Sequence, residues 1–466
     1  MRRSGLLDQF GNEMADAANR GMTRRSLILS TAATIGGIGA ATYAWNRFTD
    51  SLETSGSGSS GSGSQGLITG EPLAITSSGT LLDTDFSDPF AGGEFLGYLP
   101  FRSPEEDHYT GRFYENSGGG HDARLCIDLA SLLTPAGRLT PADQFFIRTE
   151  YPDQLKSTAD WKIKIHGEVK QPQNLPLKSL LDLVEPRGPV LLECSGNANV
   201  LKFGLLSVAK WDGIPIEKII KLAHPTEKAF AILINGFDDD SYLPDRGPPY
   251  STHSYPTCSW VFPIETLVKA RAFLATQMNG VPLPKDHGAP VRLIIPGWYG
   301  CSEVKWVNEL KFVDRTQKAT WQMLEFAYRT NQQTHQDRRF KHPLGPDLAR
   351  DYRPGTIDQA ATPVRVEQWK LGGKIAYRIV GITWGGAKRS AKLIIRYRSG
   401  GGASKWAPVS FCRPVTSVSE YGIWMHTFVP RKKGYHQIEM LVDDPRTPSR
   451  RMKTGDYTRG VIIPAV

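Results

Sequence analysis

The chain changes character across one loop-rich stretch, "HPLGPDLARDYRPG" at residues 342–355. From residue 362 onward, short apolar segments such as "VRVEQWKL", "IAYRIVGITW" and "AKLIIRYRS" alternate with glycine-rich turns. Short strands at regular spacing are typical of two-sheet β domains. The 46 glycines and 32 prolines of the whole chain fit many turns and argue against a helical bundle. We therefore predict an all-β sandwich over residues 355–466.

The block before this loop, residues 71–340, mixes strand and helix patterns. The segment "DWKIKIHGEV" (160–169) alternates apolar and polar residues like a strand, whereas "IPIEKIIKLA" (214–223) has the spacing of a short amphipathic helix. The segment "APVRLIIPG" (289–297) predicts a buried strand that ends at its Pro-Gly pair. The predicted fold class is α+β for this block, followed by an immunoglobulin-like sandwich without the Cys…Trp…Cys pattern of antibody domains.

The amino-terminal segment has the features of an export signal. In "MTRRSLILSTAATIGGIGAATYAWNRF" (22–48), Arg24 and Arg25 precede a weakly apolar stretch. This pattern resembles a twin-arginine signal, and its glycines and threonines make a poor membrane helix. We predict a signal over residues 1–48, which is an anchor if uncleaved, and a Gly/Ser linker over residues 49–70. The expected location is the periplasm, and the twin-arginine route is typical of proteins that fold around a cofactor before export.

Charge and cysteine spacing exclude several classes of function. The formal net charge is +9, but the basic residues are scattered and no zinc-finger or helix-turn-helix pattern accompanies them, so nucleic acid is not an expected partner. The five cysteines form no CxxC or CxxCH motif, and there is no HExxH motif. We therefore expect no haem in this chain.

One cysteine follows directly on an apolar run. In "VLLECSGNAN" (190–199), Cys194 comes where a strand is predicted to end and a loop of small and polar residues begins. Strand ends and the loops that follow them are common positions for functional residues. A buried structural cysteine remains the alternative at this stage.

Four segments, in the same order, resemble the sulfite oxidase family of molybdenum enzymes. They are "FFIRTEYP" (145–152), "LLECSGN" (191–197), "MNGVPLPKDHGAPVRLIIPGWYGCSEVKWV" (278–307) and "GITWGGAKRSAKLIIRYRSGGG" (381–402). The resemblance implies a molybdopterin-binding catalytic domain over residues 71–340. It also implies that the immunoglobulin-like domain forms a homodimer, and that the cofactor is a molybdenum cofactor.

The resemblance also implies roles for individual residues. Cys194 would be the thiolate ligand of the metal, a role that suits a soft, strongly donating sulfur. Residues implied at the catalytic centre are Cys194, Arg148, Arg389 and Tyr328. Residues implied in cofactor binding are Phe146, Arg148, Thr149, Glu150, Cys194, Asp238, His287, Arg292, Glu303, Val304 and Lys305. Without the resemblance, the alternative interpretation is that three of them are surface charges beside a strand and a glycine loop, namely His287, Arg292 and Lys305.

Several positions depart from the family's pattern. A family arginine is replaced by Asn199, and a family histidine is replaced by Glu150. The family's tyrosine falls on Phe326 by strict spacing, with Tyr328 two residues later. These changes lower the positive charge expected near the substrate, which argues against sulfite itself. The expected substrate is a small oxyanion or a sulfur-containing compound, and a neutral or bulkier sulfur, nitrogen or other oxo-acceptor compound is the alternative.

The leading hypothesis is oxo transfer at molybdenum, with electrons passed to an external carrier such as a periplasmic cytochrome. One alternative is a sulfane dehydrogenase-like subunit that works with a cytochrome partner. A sulfoxide reductase is disfavoured because that type lacks the second domain. A non-catalytic pterin-binding or anion-binding protein is the alternative from another class. A cysteine hydrolase is weak, because no motif places a histidine base beside Cys194.

Overall fold

The computed structural model describes residues 67–69, 71, 88–102, 112–113, 124–133, 138–149, 155, 157–198, 202–237, 258–320, 322–323, 326–330, 332, 352–400, 402–414, 417 and 419–466. The predicted export signal, most of the predicted linker, and the site residues Glu150 and Asp238 lie outside this part of the chain. Asn199 also lies outside it. Within the described residues, no helix is both long enough and apolar enough to cross a membrane.

Short strands dominate the described structure. In the first block they are β1 (Glu94–Leu99), β2 (Phe101–Arg102), β3 (Arg112–Phe113), β4 (Arg124–Leu125), β5 (Lys162–Gly167), β6 (Gln173–Pro176), β7 (Glu185–Glu193), β8 (Leu206–Pro215), β9 (Ala231–Gly236), β10 (Ser259–Pro263), β11 (Phe273–Met278), β12 (Val281–Pro282), β13 (Arg292–Ile294) and β14 (Val307–Val313). In the second block they are β15 (Ala360–Leu371), β16 (Lys374–Trp384), β17 (Leu393–Ser399), β18 (Gly402–Ala403), β19 (Ala407–Pro408), β20 (Ser410–Arg413), β21 (Gly422–Phe428), β22 (Gly434–Val442) and β23 (Arg459–Ile463).

Helices are few and short in the described residues. They are the α-helices α1 (Ile216–Ala223), α2 (Ile264–Lys269) and α3 (Arg450–Lys453), and the 3-10 helices Leu129–Leu133, Leu177–Leu183, Lys285–His287 and Gly300–Ser302. Pro215 and Pro263 stand directly before α1 and α2, a position where the missing N–H of proline costs no helical hydrogen bond. The α+β expectation therefore overstated the helix content, because the first block is mostly β.

Two sheets form the framework of the first block. A mixed sheet has the order β10-β9-β14-β5-β6, in which β14 and β5 are parallel. An antiparallel sheet has the order β12-β11-β8-β7, and β13 pairs with β11. The strand predicted within residues 160–169 is β5, and the helix predicted within residues 214–223 is α1. The strand predicted over 289–297 is shorter, because Pro290 and Pro296 on either side of β13 have no N–H to donate to a ladder.

The second block consists of two antiparallel sheets packed face to face. Their orders are β1-β15-β16-β21-β20 and β18-β17-β22-β23-β2, with β19 paired to β17. Tyr397 of one sheet stacks on Phe428 of the other at 3.8 Å, and its hydroxyl lies 2.8 Å from His426 Nδ1. Strands β1 and β2 pair with β15 and β23, although their residues fall inside the range predicted for the first domain. The domain boundaries themselves remain a prediction.

Candidate functional site

Cys194 lies directly after β7, where the chain turns away from the sheet. The side chain is 7% exposed, and the backbone N–H donates to the Leu205 carbonyl at 3.0 Å. The Cys194 carbonyl accepts from the Asn197 N–H at 2.9 Å, which closes a tight turn. Within that turn, the Gly196 N–H donates to Cys194 Sγ at 3.4 Å. A donor aimed at sulfur favours the thiolate form that binds metals.

A glycine-rich segment packs against the backbone of Cys194. Tyr299 forms a parallel bridge with Glu193. A Cβ added at Gly300 would lie 3.4 Å from the Glu193 carbonyl oxygen and 3.9 Å from Cys194 Cα. The third segment of the sequence resemblance, residues 278–307, is therefore in contact with the segment that carries the cysteine.

Arg292 and Glu303 form a buried pair on this same segment. Arg292 donates to the carbonyls of His287 at 3.1 Å and Glu303 at 3.4 Å, and its Nη2 lies 3.9 Å from Glu303 Oε2. Burial lowers the pKa of Arg292, an effect that the Glu303 charge opposes. Burial likewise raises the pKa of Glu303 to about 8 against the opposing effect of Arg292. Val304 is fully buried, and its carbonyl accepts from the Leu293 N–H at 2.8 Å.

His287 is a buried neutral imidazole. Its Nε2 lies 3.1 Å from the Ala142 carbonyl, so Nε2 carries the proton in this contact. Burial, followed by the charges of Arg292 and Lys305, lowers the pKa of His287 to about 3. The interpretation of His287 and Arg292 as surface charges is therefore wrong, because both side chains are at most 5% exposed.

Lys305 ties the 145–149 segment to the 285–305 segment. Its Nζ donates to the carbonyl of Thr149 at 2.6 Å and to that of Asp286 at 2.9 Å. On the 145–149 segment, the Phe146 N–H donates to Ser207 Oγ at 3.2 Å, and Arg148 is partly buried. These contacts bring together the predicted cofactor residues Thr149, His287, Arg292, Glu303 and Lys305. Phe146 and Arg148 lie on the same segment as Thr149, and Val304 lies between Glu303 and Lys305.

Two predicted catalytic residues lie apart from these contacts. Arg389 follows β16 and donates through Nε to the Gly385 carbonyl at 2.7 Å. Burial lowers the pKa of Arg389 to about 10, and the charge of Glu420 opposes this shift. Tyr328 is 67% exposed, and Phe326 packs against the main core. The hydrogen bonds and packing described above connect neither Arg389 nor Tyr328 to the cofactor residues.

The sequence reasoning missed the group around Glu193. The Glu193 carboxylate is fully buried and accepts hydrogen bonds from Trp384 at 2.8 Å and Tyr457 at 3.0 Å. It also pairs with Arg451 at 3.4 Å. The sequence did contain a signal for this group, because Glu193 ends an apolar strand and a buried carboxylate needs a buried polar partner. Nothing in the sequence identified that partner.

Comparisons with known proteins match the region of the chain that contains Cys194. Residues 149–321 match the family described as "oxidoreductase molybdopterin binding domain". Over 210 residues the chain is 28% identical to the protein-methionine-sulfoxide reductase catalytic subunit MsrP of Xanthomonas campestris pv. campestris, covering 44% of this chain and 62% of that protein. Over 202 residues it is 30% identical to the NADPH nitrate reductase of Pichia angusta, covering 39% of this chain and 22% of that protein. The matched region thus spans less than two thirds of the length of either relative.

A solved structure extends the likeness into the second block. The sulfane dehydrogenase SoxCD from Paracoccus pantotrophus has a similar fold, with a TM-score of 0.51 and 18% identity over 81% of this chain and 89% of that one. The fold and the family match together define a molybdopterin-binding oxidoreductase domain. Residues 149–321 therefore carry the molybdopterin-binding domain of the sulfite oxidase family, whose members use a molybdenum cofactor.

Proposed function

We propose that this protein is a molybdenum-cofactor oxidoreductase that transfers oxygen to or from a small oxyanion or sulfur-containing substrate. The observation that carries the proposal is the Cys194 thiol, which lies at the end of β7 and receives the Gly196 N–H. A metal-pterin group requires an oriented thiolate for the metal and cationic side chains for the phosphate. The segment that packs against Cys194 carries the buried Arg292. When bound, the cofactor supplies two-electron oxo transfer, for which the protein provides binding and orientation.

The residues present fit such a group. Within the described residues, Ser195 Oγ, Arg292 Nε and Arg389 Nη2 are buried and make no hydrogen bond. Buried polar atoms are normally paired, so these atoms favour a polar occupant nearby. Cys194 would hold the metal. Phe146, Arg148, Thr149, Glu150, Asp238, His287, Arg292, Glu303, Val304 and Lys305 would bind the pterin and its phosphate.

Four side chains have proposed roles near the substrate or the cofactor, and the charge or exposure of each indicates its role. Arg148 and Arg389 would bind an oxyanion, because a guanidinium donates two parallel hydrogen bonds and keeps its charge. Tyr328 is the proposed replacement for the family's tyrosine. Its 67% exposure means that it would act from the rim of the site. His287 is neutral and buried, so it would orient the cofactor rather than carry charge.

Electrons would leave singly to an external carrier, which we propose is a cytochrome. We further propose twin-arginine export to the periplasm and, when the signal is uncleaved, a membrane anchor. The second block would be an immunoglobulin-like domain through which the protein forms a homodimer. Its two packed antiparallel sheets support the immunoglobulin-like assignment.

A second candidate is a sulfane dehydrogenase-like subunit with a cytochrome partner. The fold likeness to SoxCD covers both blocks of the chain, which favours this candidate over an enzyme that lacks the second block. A screen of sulfite, thiosulfate, sulfoxides and N-oxides with artificial electron acceptors and donors distinguishes this candidate from the oxidoreductase proposed first. If a molybdenum-loaded sample turns over none of them, a non-catalytic pterin-binding protein is favoured instead.

The test of the proposal is metal analysis with a matched pair of cysteine variants. The protein, Cys194→Ser and Cys412→Ala are each purified from a molybdenum-replete host. We expect molybdenum and activity in the parent and in the Cys412→Ala control, whose thiol is buried in β20 with its pKa raised to about 12 by burial. We expect both to be lost from a folded Cys194→Ser variant. A folded, active parent without molybdenum, or a fully active Cys194→Ser variant, would overturn the proposal.

A further inference from the structure

A single buried carboxylate joins the cysteine segment to the second block. Glu193 immediately precedes Cys194, and its side chain is fully buried. Its Oε2 accepts from the Trp384 indole N–H at 2.8 Å, and its Oε1 accepts from the Tyr457 hydroxyl at 3.0 Å. Arg451 pairs with Oε1 at 3.4 Å. Side chains of the second block therefore hold both oxygens of the residue next to the cysteine.

The same network holds the turn after Cys194. The Asn197 side chain donates through Nδ2 to Glu193 Oε1 at 3.3 Å, and its Oδ1 accepts from the Leu205 N–H at 3.1 Å. The Asn197 carbonyl accepts a hydrogen bond from Arg451 Nη2. Cys194 thus lies between two residues that are both anchored by Arg451.

The second block also contacts Lys202 and Phe203, which precede β8. Lys202 and Phe203 have φ angles of 48° and 60°, a left-handed conformation that is unfavourable for residues with a Cβ. The Arg459 side chain of β23 donates to the Lys202 carbonyl at 2.7 Å, and its guanidinium lies 5.2 Å from the centre of the Phe203 ring. These contacts hold Lys202 and Phe203 in a backbone conformation that is unfavourable for them.

The ion pair between Glu193 and Arg451 is buried, which restricts the movement of Glu193. Glu193 is fully buried and Arg451 is 5% exposed, so neither charge is solvated by bulk water. Arg451 also pairs with Asp456 at 3.3 Å, whereas Arg451 is the cation that pairs with Glu193 in the described residues. A fully satisfied polar network allows fewer alternative geometries than apolar packing does. Movement of Glu193 is therefore costly, and the backbone of Cys194 moves with it.

We propose that Glu193 is a positioning residue, through which Arg451, Trp384 and Tyr457 of the second block fix the direction of the Cys194 sulfur. This inference rests on the proposed function, in which Cys194 is the metal ligand. Groups that orient a metal ligand alter affinity or activity by about 10- to 100-fold when they are removed. The second block is then part of the redox site, in addition to any role in assembly.

The experiment compares full-length parent protein with Glu193→Gln. This variant keeps the shape of the side chain, leaves Asp456 at 3.3 Å as the carboxylate paired with Arg451, and turns one acceptor into a donor. Molybdenum content, the midpoint potential, the electron paramagnetic resonance spectrum of the half-reduced metal, kcat and KM are measured. We expect a changed spectrum, a shifted potential and a kcat lowered about 10- to 100-fold, with KM nearly unchanged. A molybdenum-containing Glu193→Gln variant with the parent's spectrum, potential and kcat would overturn the inference.

Two further variants separate positioning from folding. Tyr457→Phe removes one hydroxyl and keeps the ring. If Glu193→Gln fails to fold or to retain metal, Tyr457→Phe tests whether the network around Glu193 positions the Cys194 sulfur. It should change the spectrum in the same direction by a smaller amount, and an unchanged spectrum would count against the inference. Arg450→Met is the control, because Arg450 is on the same helix and pairs with Asp358 at 2.9 Å instead. It should leave the spectrum and potential as in the parent.

The failure of this inference differs from the failure of the proposed function. A parent protein without molybdenum would refute the proposed function. A parent with molybdenum, combined with the parent's properties in metal-loaded Glu193→Gln, would refute the positioning role alone.

Discussion

Replacing His287 with glutamine removes a buried group that resists protonation in the folded protein. The ring is 3% exposed and donates to the Ala142 carbonyl at 3.1 Å. Burial, then Arg292 and Lys305, lowers its pKa from 6.5 to about 3. Glutamine keeps an N–H that can reach the same carbonyl and has no proton to gain. The variant should therefore differ from the parent mainly in its response to acid.

The two pKa values of His287 give the sign and the size of the effect. The folded pKa is lower than the unfolded one, so between pH 6.5 and 3 the unfolded chain binds more protons and acid favours unfolding. The contribution of the neutral ring is complete above pH 6.5 and is lost as the pH falls toward 3. From these pKa values, the parent should lose about 2 kcal/mol between pH 7 and pH 5 through this group.

Urea unfolding followed by tryptophan fluorescence at pH 7 and pH 5 measures the difference. We expect the free energy of unfolding of His287→Gln to fall by about 2 kcal/mol less than that of the parent. The control is His224→Asn, because His224 is exposed and asparagine tolerates its left-handed conformation. It should retain the parent's pH dependence. An equal loss of stability in the parent and His287→Gln would refute the reasoning.

Three other changes have expected outcomes that follow from single contacts. Burial raises the pKa of Glu303 from 4.5 to about 8, so its contribution to stability is complete below pH 4.5 and is lost as the pH rises through 8. Glu303→Gln should flatten this decline between pH 4.5 and pH 8 in urea unfolding. Lys305→Met removes the hydrogen bonds to the carbonyls of Thr149 and Asp286, so the molybdenum content of the purified protein should fall several-fold. Gly381→Ala places a Cβ on the indole ring of Trp424 and should lower the free energy of unfolding by about 1–3 kcal/mol.

Each of these changes has a matched control. Glu265→Gln and Lys269→Met alter exposed residues of α2 and should leave the pH response and the metal content unchanged. Gly402→Ala adds a Cβ whose nearest neighbour is the Ser399 carbonyl oxygen at 3.9 Å, so it should be close to neutral. If a control changes its property as much as its test variant does, the contact assigned to that variant is not the cause.

Local patterns predicted several elements of the fold correctly. The alternation in residues 160–169 and the apolar spacing in residues 214–223 match β5 and α1, because each pattern reflects the periodicity of one element with one buried side. The pairing of β1 with β15 was not predicted. It joins residues far apart in the chain, and hydrophobic alternation does not identify which strand lies beside which.

The candidate site likewise has features that the sequence predicted and features that it did not. The end of the apolar run at Cys194 and the segment order of the resemblance pointed to the cysteine and to the cofactor residues. Burial excluded the alternative interpretation of His287 and Arg292 as surface charges. The 67% exposure of Tyr328 was likewise invisible in a spacing argument.

The sequence by itself determined the local features: a strand that ends at Cys194, the segments of a molybdenum-enzyme family, and a β-rich second block. Only the tertiary structure decided which side chains hold the residue beside that cysteine, because the partners of Glu193 are 191, 258 and 264 positions away. Contacts at such separations depend on how the sheets pack, and a linear pattern records periodicity but not packing. A buried carboxylate needs a partner, but the fold alone selects it.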